Sequence, residues 1–196
     1  NRWRQYRPFL SLKAEIEQDR TCDLTISGLA GSSEAFLLQS LAAESGRPIL
    51  VIAERPDEAV DLYDDLVFLM GDTKVGHYPA RQILPYDFRA PVGEIMGSRI
   101  PTLDGLTDGR IRVAVTSIRP VMEPAIAVEE LRSSRIDLRV GTEADPVDLV
   151  RRLVRFGFRR VPLVEEVGDF AQRGGLVDFF TPGSDAPIRV EFLGND

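Results

Sequence analysis

Short apolar runs alternating with helical patterns constrain this chain more than any other feature. ILVIA (49–53) is wholly apolar, and RIRVAVTS (110–117) carries the continuous apolar run VAV at 113–115. A strand that is apolar on both sides is buried on both sides, the usual state of a parallel sheet wrapped by helices. The intervening stretches fit, because residues 33–45 and 57–70 carry apolar side chains at helical spacing. The expected order is a strand at 23–26 (DLTI), a helix at 33–45, a strand at 48–53 and a helix at 57–70. A loop rich in Pro and aromatic residues follows at 78–91, then a helix at 93–105 and a strand at 110–117.

The rhythm changes near residue 130. SRIDLRVG (134–141) has the period of two that marks a strand, and DPVDLVRRLVRFG (145–157) is a helix opening on Asp-Pro and closing on Gly. Three runs rich in β-branched or aromatic residues follow, FRRVPLV, GLVDFF and IRVEFLG. The chain therefore reads as an α/β domain over 1–130 and a smaller α+β domain over 131–196. It begins without Met and ends on EFLGND, inside a turn signal, so it reads as a fragment of a longer protein.

The segment DLTISGLAGSSEAFLLQSL (23–41) has the layout of a P-loop/RecA-like phosphate site: a strand, a glycine turn holding Gly28 and Gly31, then a helix. A working loop follows G-x-x-x-x-G-K-[ST]; its Lys reaches the outer phosphates and its hydroxyl holds magnesium. Here Gly28 keeps the first glycine, while Ser33 replaces the second, Glu34 the lysine and Ala35 the hydroxyl. Two unit charges about 4 Å apart at an effective dielectric near 20 interact by roughly 4 kcal/mol. Exchanging Lys for Glu turns that attraction into repulsion, whereas a carboxylate in a first helical turn suits the helix dipole. The loop is read as degenerate, with no nucleotide or other cofactor bound. DEAV (57–60) imitates a helicase acidic box, but Pro56 parts it from ILVIA, and Asp57 and Glu58 read as first-turn carboxylates.

Charge and composition narrow the partner. The formal net charge is −7, a poor footprint for a chain whose main partner is DNA. Yet 22 of its 24 cations are arginines, because Lys13 and Lys74 are the only lysines. Arg151, Arg152, Arg155, Arg159 and Arg160 crowd one short stretch, and the planar guanidinium suits fixed pairing with carboxylates. A solvated helix face and a nucleic-acid contact are the competing readings of that cluster. One histidine, His77, and one cysteine, Cys22, leave a conventional zinc site short of ligands. The single cysteine fits a reducing cytoplasm, and no apolar run is long enough to cross a bilayer.

Taken in order, SGLAGSSEAF, RPILVIA, LPYDF and VEEVGDFAQRGGLVDFFTPGSDAPIRVEFLGND resemble the UvrB-homology module of bacterial transcription-repair coupling factors. The likeness is most specific over 157–194, in Gly157-Phe158-Arg159-Arg160, Phe170-x-x-Arg173-Gly174, Asp178-x-Phe180 and Ile188-Arg189-Val190-Glu191-Phe192. UvrB itself differs in having an intact phosphate loop and a long aromatic hairpin after the LPYDF region, where only Arg89, Ala90, Pro91 and Val92 stand here. Tyr78, Tyr86 and Phe88 are then loop anchors rather than base-stacking residues. The resemblance implies a non-catalytic module that docks onto the damage-recognition ATPase UvrA and recruits it to stalled transcription complexes. It places the contacts on Arg160, Arg173, Arg189 and Glu191, with Arg159 beside or in place of Arg160. Ala171 stands where UvrB has another arginine, which puts one contact in doubt. RNA polymerase and DNA would be reached only through other domains. The alternative reading is a nucleotide-binding, helicase-like ATPase related to UvrB and acting on DNA.

Overall fold

The computed structural model describes residues 5–18, 21–81 and 93–193. Their contacts divide into two compact units, one of residues up to Ala80 with Gly105–Glu123, the other of Arg81–Asp104 with Pro124 onward.

The first unit is α/β. Helix α1 (Arg7–Glu17) precedes α2 (Ser33–Glu44), strand β1 (Ile49–Ala53) and α3 (Pro56–Met70). A 3-10 turn at Asp72–Lys74 leads into β2 (Val75–Tyr78). Next in the chain is α4 (Gly93–Asp108), whose residues up to Asp104 belong to the second unit, and then β3 (Val113–Ser117) and the short α5 (Ile118–Val121) of the first. The three strands form a parallel sheet in the order β1-β3-β2, with Val51 and His77 both level with Val115. Every residue of β3 is buried, as a central strand covered on both faces must be. Ala35 and Ala42 of α2, Ala59 and Leu66 of α3, and Val75, Val113 and Val115 of the sheet make the core. Phe9, Leu37 and Leu41 seat α1 on α2, tied at the rim by the ion pair of Lys13 with Glu44.

Two expectations fail in this unit. DLTI is not a strand: residues 21–30 form no ladder, and Leu24 and Ile26 are 46% and 47% exposed. The central strand β3 already has β1 on one edge and β2 on the other, so the slot beside it is filled. The parallel-sheet α/β class stands, but the glycine loop does not spring from a sheet strand. Conversely, VGHY (75–78) pairs as β2, where only a loop was expected from residue 78. Asp57 and Glu58 do begin a helix. The Glu58 carboxylate accepts the Arg55 backbone N–H at 3.3 Å and the Arg55 side chain pairs with both acids. Arginine has no acceptor of its own, so this is the acidic half of a capping box alone.

The second unit holds α6 (Val128–Ser134), α7 (Pro146–Arg155) and strands β4 (Arg159–Arg160), β5 (Asp169–Arg173), β6 (Leu176–Phe179) and β7 (Ile188–Glu191). The strands form one mixed sheet in the order β4-β5-β6-β7, parallel at β4–β5 and antiparallel thereafter. Helix α7 starts as its sequence demands, with the Asp145 carboxylate accepting the Val147 N–H at 2.8 Å and Pro146 in the first turn. Its Leu149 and Leu153 pack on Phe170, Val177 and Phe179, which closes one face of the sheet. Strand β5 was not anticipated, and residues 134–141 form no ladder although they alternate. Ile136 turns in to this core while Val140 is fully exposed, so the alternation marks an extended segment without a strand neighbour.

Candidate functional site

The glycine loop is closed on itself. Gly28 (φ +82°) and Gly31 (φ +55°) adopt backbone open to glycine, which lets the chain turn into α2. The Ala30 N–H, a donor of the kind that would face a phosphate, is taken by the Ser33 hydroxyl at 2.7 Å. Ser33 N–H in turn donates to the Ala30 carbonyl at 3.2 Å. Ala35, at the position of the magnesium-binding hydroxyl, is 0% exposed and packs in the core. Glu34 stands exposed in the first turn of α2. The loop thus spends a backbone donor internally and offers a carboxylate outward.

The sheet of the second unit is arranged the other way. Register places Ala171, Asp178 and Arg189 in one row across β5, β6 and β7, and Arg173, Leu176 and Glu191 in the next. Opposed residues in neighbouring strands share a face, and residues two apart on a strand share it too. All six therefore lie on the side away from α7, while Phe170, Val177, Phe179 and Val190 turn toward it. Arg173, Arg189 and Glu191 are exposed on that outer side. Arg173 ends β5 just before the two-glycine turn to β6, where Gly174 has φ +60°. A Cβ on Gly175 would come within 2.7 Å of the Phe192 carbonyl oxygen, so the turn admits only glycine there. The Gly175 carbonyl accepts the Phe192 N–H at 2.8 Å, pinning the end of β7 beside this turn.

Arg159, Arg173 and Arg189 are each braced within the chain. Arg189 grips Asp178 across the ladder, Nε donating to Oδ1 at 2.6 Å and Nη2 to Oδ2 at 2.8 Å. The hydrogen bonds from Arg189 hold the Asp178 carboxyl below its ordinary value of 3.8, with a further pull from the positive charge of Arg173. Arg173 donates through Nη2 to the Pro162 carbonyl. Arg159 faces Asp169, donating from Nε to Oδ1 at 3.0 Å, and reaches Glu166 at 3.3 Å. Asp169 is 4% exposed, and its other oxygen accepts the Glu166 N–H at 3.3 Å.

Arg160 is level with Phe170, so strand alternation carries its side chain to the opposite side from Arg159. The five-arginine cluster of the sequence is thus divided. Arg151, Arg152 and Arg155 belong to α7, where Arg151 pairs with Asp148 at 3.7 Å and Arg152 donates to the Arg135 carbonyl at 2.7 Å. Of the aromatic residues, Tyr78 is buried in β2 and anchors the first unit, while Tyr86 and Phe88 lie outside the described residues. So do the LPYDF block and the segment Arg89–Val92. Among the described residues no helix is long and apolar enough to cross a membrane.

Of the organising carboxylates, Asp178 was named from sequence only as part of the likeness and Asp169 not at all, and neither was given a role. Their signal is there, but only in register: Asp178 opposes Arg189 once GLVDFF and IRVEFLG are paired in antiparallel.

Comparisons with known proteins cover this sheet. Residues 136–196, which hold the whole four-stranded sheet, match the family described as the UvrB interaction domain. The chain around that domain is also similar to transcription-repair-coupling factors. It is 32% identical over 196 aligned residues to the one from Myxococcus xanthus, covering 96% of this chain and 16% of that protein. It is 29% identical over 168 residues to the one from Bacillus subtilis strain 168, covering 86% of this chain and 14% of that protein. The chain thus spans less than a fifth of the length of these relatives. Every strand of the UvrB interaction domain that carries an arginine named above falls inside the match.

Proposed function

We propose that this chain is a non-catalytic protein-binding module of a transcription-repair-coupling factor, and that its UvrB interaction domain recruits the repair ATPase UvrA to stalled transcription complexes. The observation that carries this reading is the single open sheet face on which Arg173, Arg189 and Glu191 stand together, opposite the face closed by α7. Arg159, at the β4 edge, extends the same side, and Arg160 meets the partner from the other side of that edge. Charged groups fixed on one surface give specificity and fast association when the partner is complementary. The first unit then serves as a frame with a P-loop/RecA-like ancestry whose loop has become a structural turn.

Titration of UvrA into the purified chain tests this. Binding is expected, and Arg173→Ala is expected to weaken it about 10- to 100-fold with an unchanged melting curve. Absence of binding, or an Arg173→Ala chain that binds UvrA as well as the original, defeats the proposal. The glycine turn at Gly28 and Gly31 favours one second reading, a nucleotide-binding ATPase related to UvrB. Calorimetry with Mg-ATP separates the two: micromolar binding lost on enlarging Gly28 supports the ATPase.

A further inference from the structure

We infer that Asp178 is a positioning residue for the interface, holding Arg189 so that the outer edge of its guanidinium meets a carboxylate of the partner protein. This rests on the reading under Proposed function. A guanidinium has five N–H donors in a rigid plane. The bond to Asp178 uses Nε and one hydrogen of Nη2. Among the described residues nothing engages Nη1, so Nη1 with the second hydrogen of Nη2 forms a further fork aimed away from Asp178. Such a fork matches the two oxygens of a carboxylate.

Among the described residues Asp178 alone hydrogen-bonds the Arg189 guanidinium, and Glu191 adds only the attraction of its charge. In the row of Asp178 the neighbour on the other side is Ala171, which has no side-chain donor, so Arg189 holds both carboxylate oxygens. Arg173 lies in the next row and is bonded instead to the Pro162 carbonyl. Strand alternation gives Arg189 its side; Asp178 gives it its direction. A long side chain that is fixed before binding loses less rotamer freedom on binding.

The proposal has an unusual sign. Against an acidic partner, removing the Asp178 charge should strengthen binding on charge alone. Positioning requires the reverse. UvrA is titrated into the wild type, Asp178→Asn, Arg189→Ala and the double variant. The expected results are about tenfold weaker binding for Asp178→Asn, an equal or larger loss for Arg189→Ala, and no further loss in the double variant. Tighter or unchanged binding by Asp178→Asn overturns the inference. So does an equal further loss in the Arg189→Ala background, which is the mark of a general structural role. A measurement on the free chain stands apart from the partner: the Arg189 Nε–H resonance should exchange slowly with water in the wild type and fast in Asp178→Asn. Equal exchange overturns the positioning even if UvrA binds. Slow exchange with no UvrA binding by the wild type defeats the functional reading alone.

Discussion

The glycine loop and the charged sheet face both rest on glycine turns, yet they dispose of their polar groups in opposite ways. At the loop, Ser33 takes the Ala30 N–H, Ala35 sinks into the core, and the group left facing out is the Glu34 carboxylate. On the sheet, Arg189 and Arg173 spend some donors on Asp178 and Pro162 and keep their charge exposed on one face. The layout of a motif therefore says less about binding than which donors remain once the chain has satisfied itself. A loop that spends its Ala30 and Ser33 N–H groups on itself serves here as a turn. A face that has braced its cations without burying them is ready for a partner.

The strongest way to break that comparison is to remove what holds the face flat. Phe170 of β5 is 1% exposed and packs against α7 on the closed face of the sheet. Phe170→Ala should cost about 3–5 kcal/mol of stability through lost burial and an unfilled cavity. Circular dichroism melting is expected to show the loss, and UvrA binding is expected to vanish with it. Arg173→Ala should show the opposite pairing, with binding weakened about 10- to 100-fold and melting unchanged. If Phe170→Ala left UvrA binding intact, the sheet would not be the platform.

Next comes an attempt to turn the loop back into a phosphate site. Ala35→Ser restores the hydroxyl of the motif, but at a position sealed in an apolar cluster. A buried hydroxyl costs free energy, trimmed here because a helical serine can bend back to the preceding turn. The expected destabilisation is about 1 kcal/mol. Combined with Glu34→Lys, it should still fail to bind Mg-ATP by calorimetry, because the Ala30 N–H stays engaged with Ser33. Micromolar binding by that double variant would show that two side chains alone separate the two kinds of site.

The contrast also explains what could be read before any coordinates. Helices α2, α3 and α7 and strands β1 and β3 were legible, since each is long or apolar enough to carry its own period. DLTI and residues 134–141 were misread as strands because period reports which side chains share a face, not whether a neighbouring strand exists. VGHY and DFAQR were missed for the converse reason: a glycine and polar residues dilute their pattern, and pairing with β3 and β6 makes them strands. The arginines of the proposed site were named through ordered resemblance. Their carboxylate braces were given no role, because Asp169 and Asp178 meet Arg159 and Arg189 only through strand register.

The smallest expected effect separates the two units by pH. His77 on β2 is half-buried beside the Tyr63 ring, with centroids 5.4 Å apart. Burial lowers its pKa below the ordinary 6.5, and the nearby negative charge of Asp64 only partly offsets that. With the folded value depressed, the unfolded chain takes up the proton first as pH falls. The stability that neutral His77 supports is present above pH 6.5 and is lost progressively as pH drops below it. Asp178 is also depressed, from 3.8, so its contribution survives until far more acid conditions. Moving from pH 7.5 to about 5.5 should therefore lower the melting temperature of the first unit while the Asp178–Arg189 pair persists. His77→Gln should remove that pH dependence, and tryptic release of the two units at each pH would assign it. If His77→Gln left the pH dependence unchanged, the sensitivity would lie elsewhere than β2.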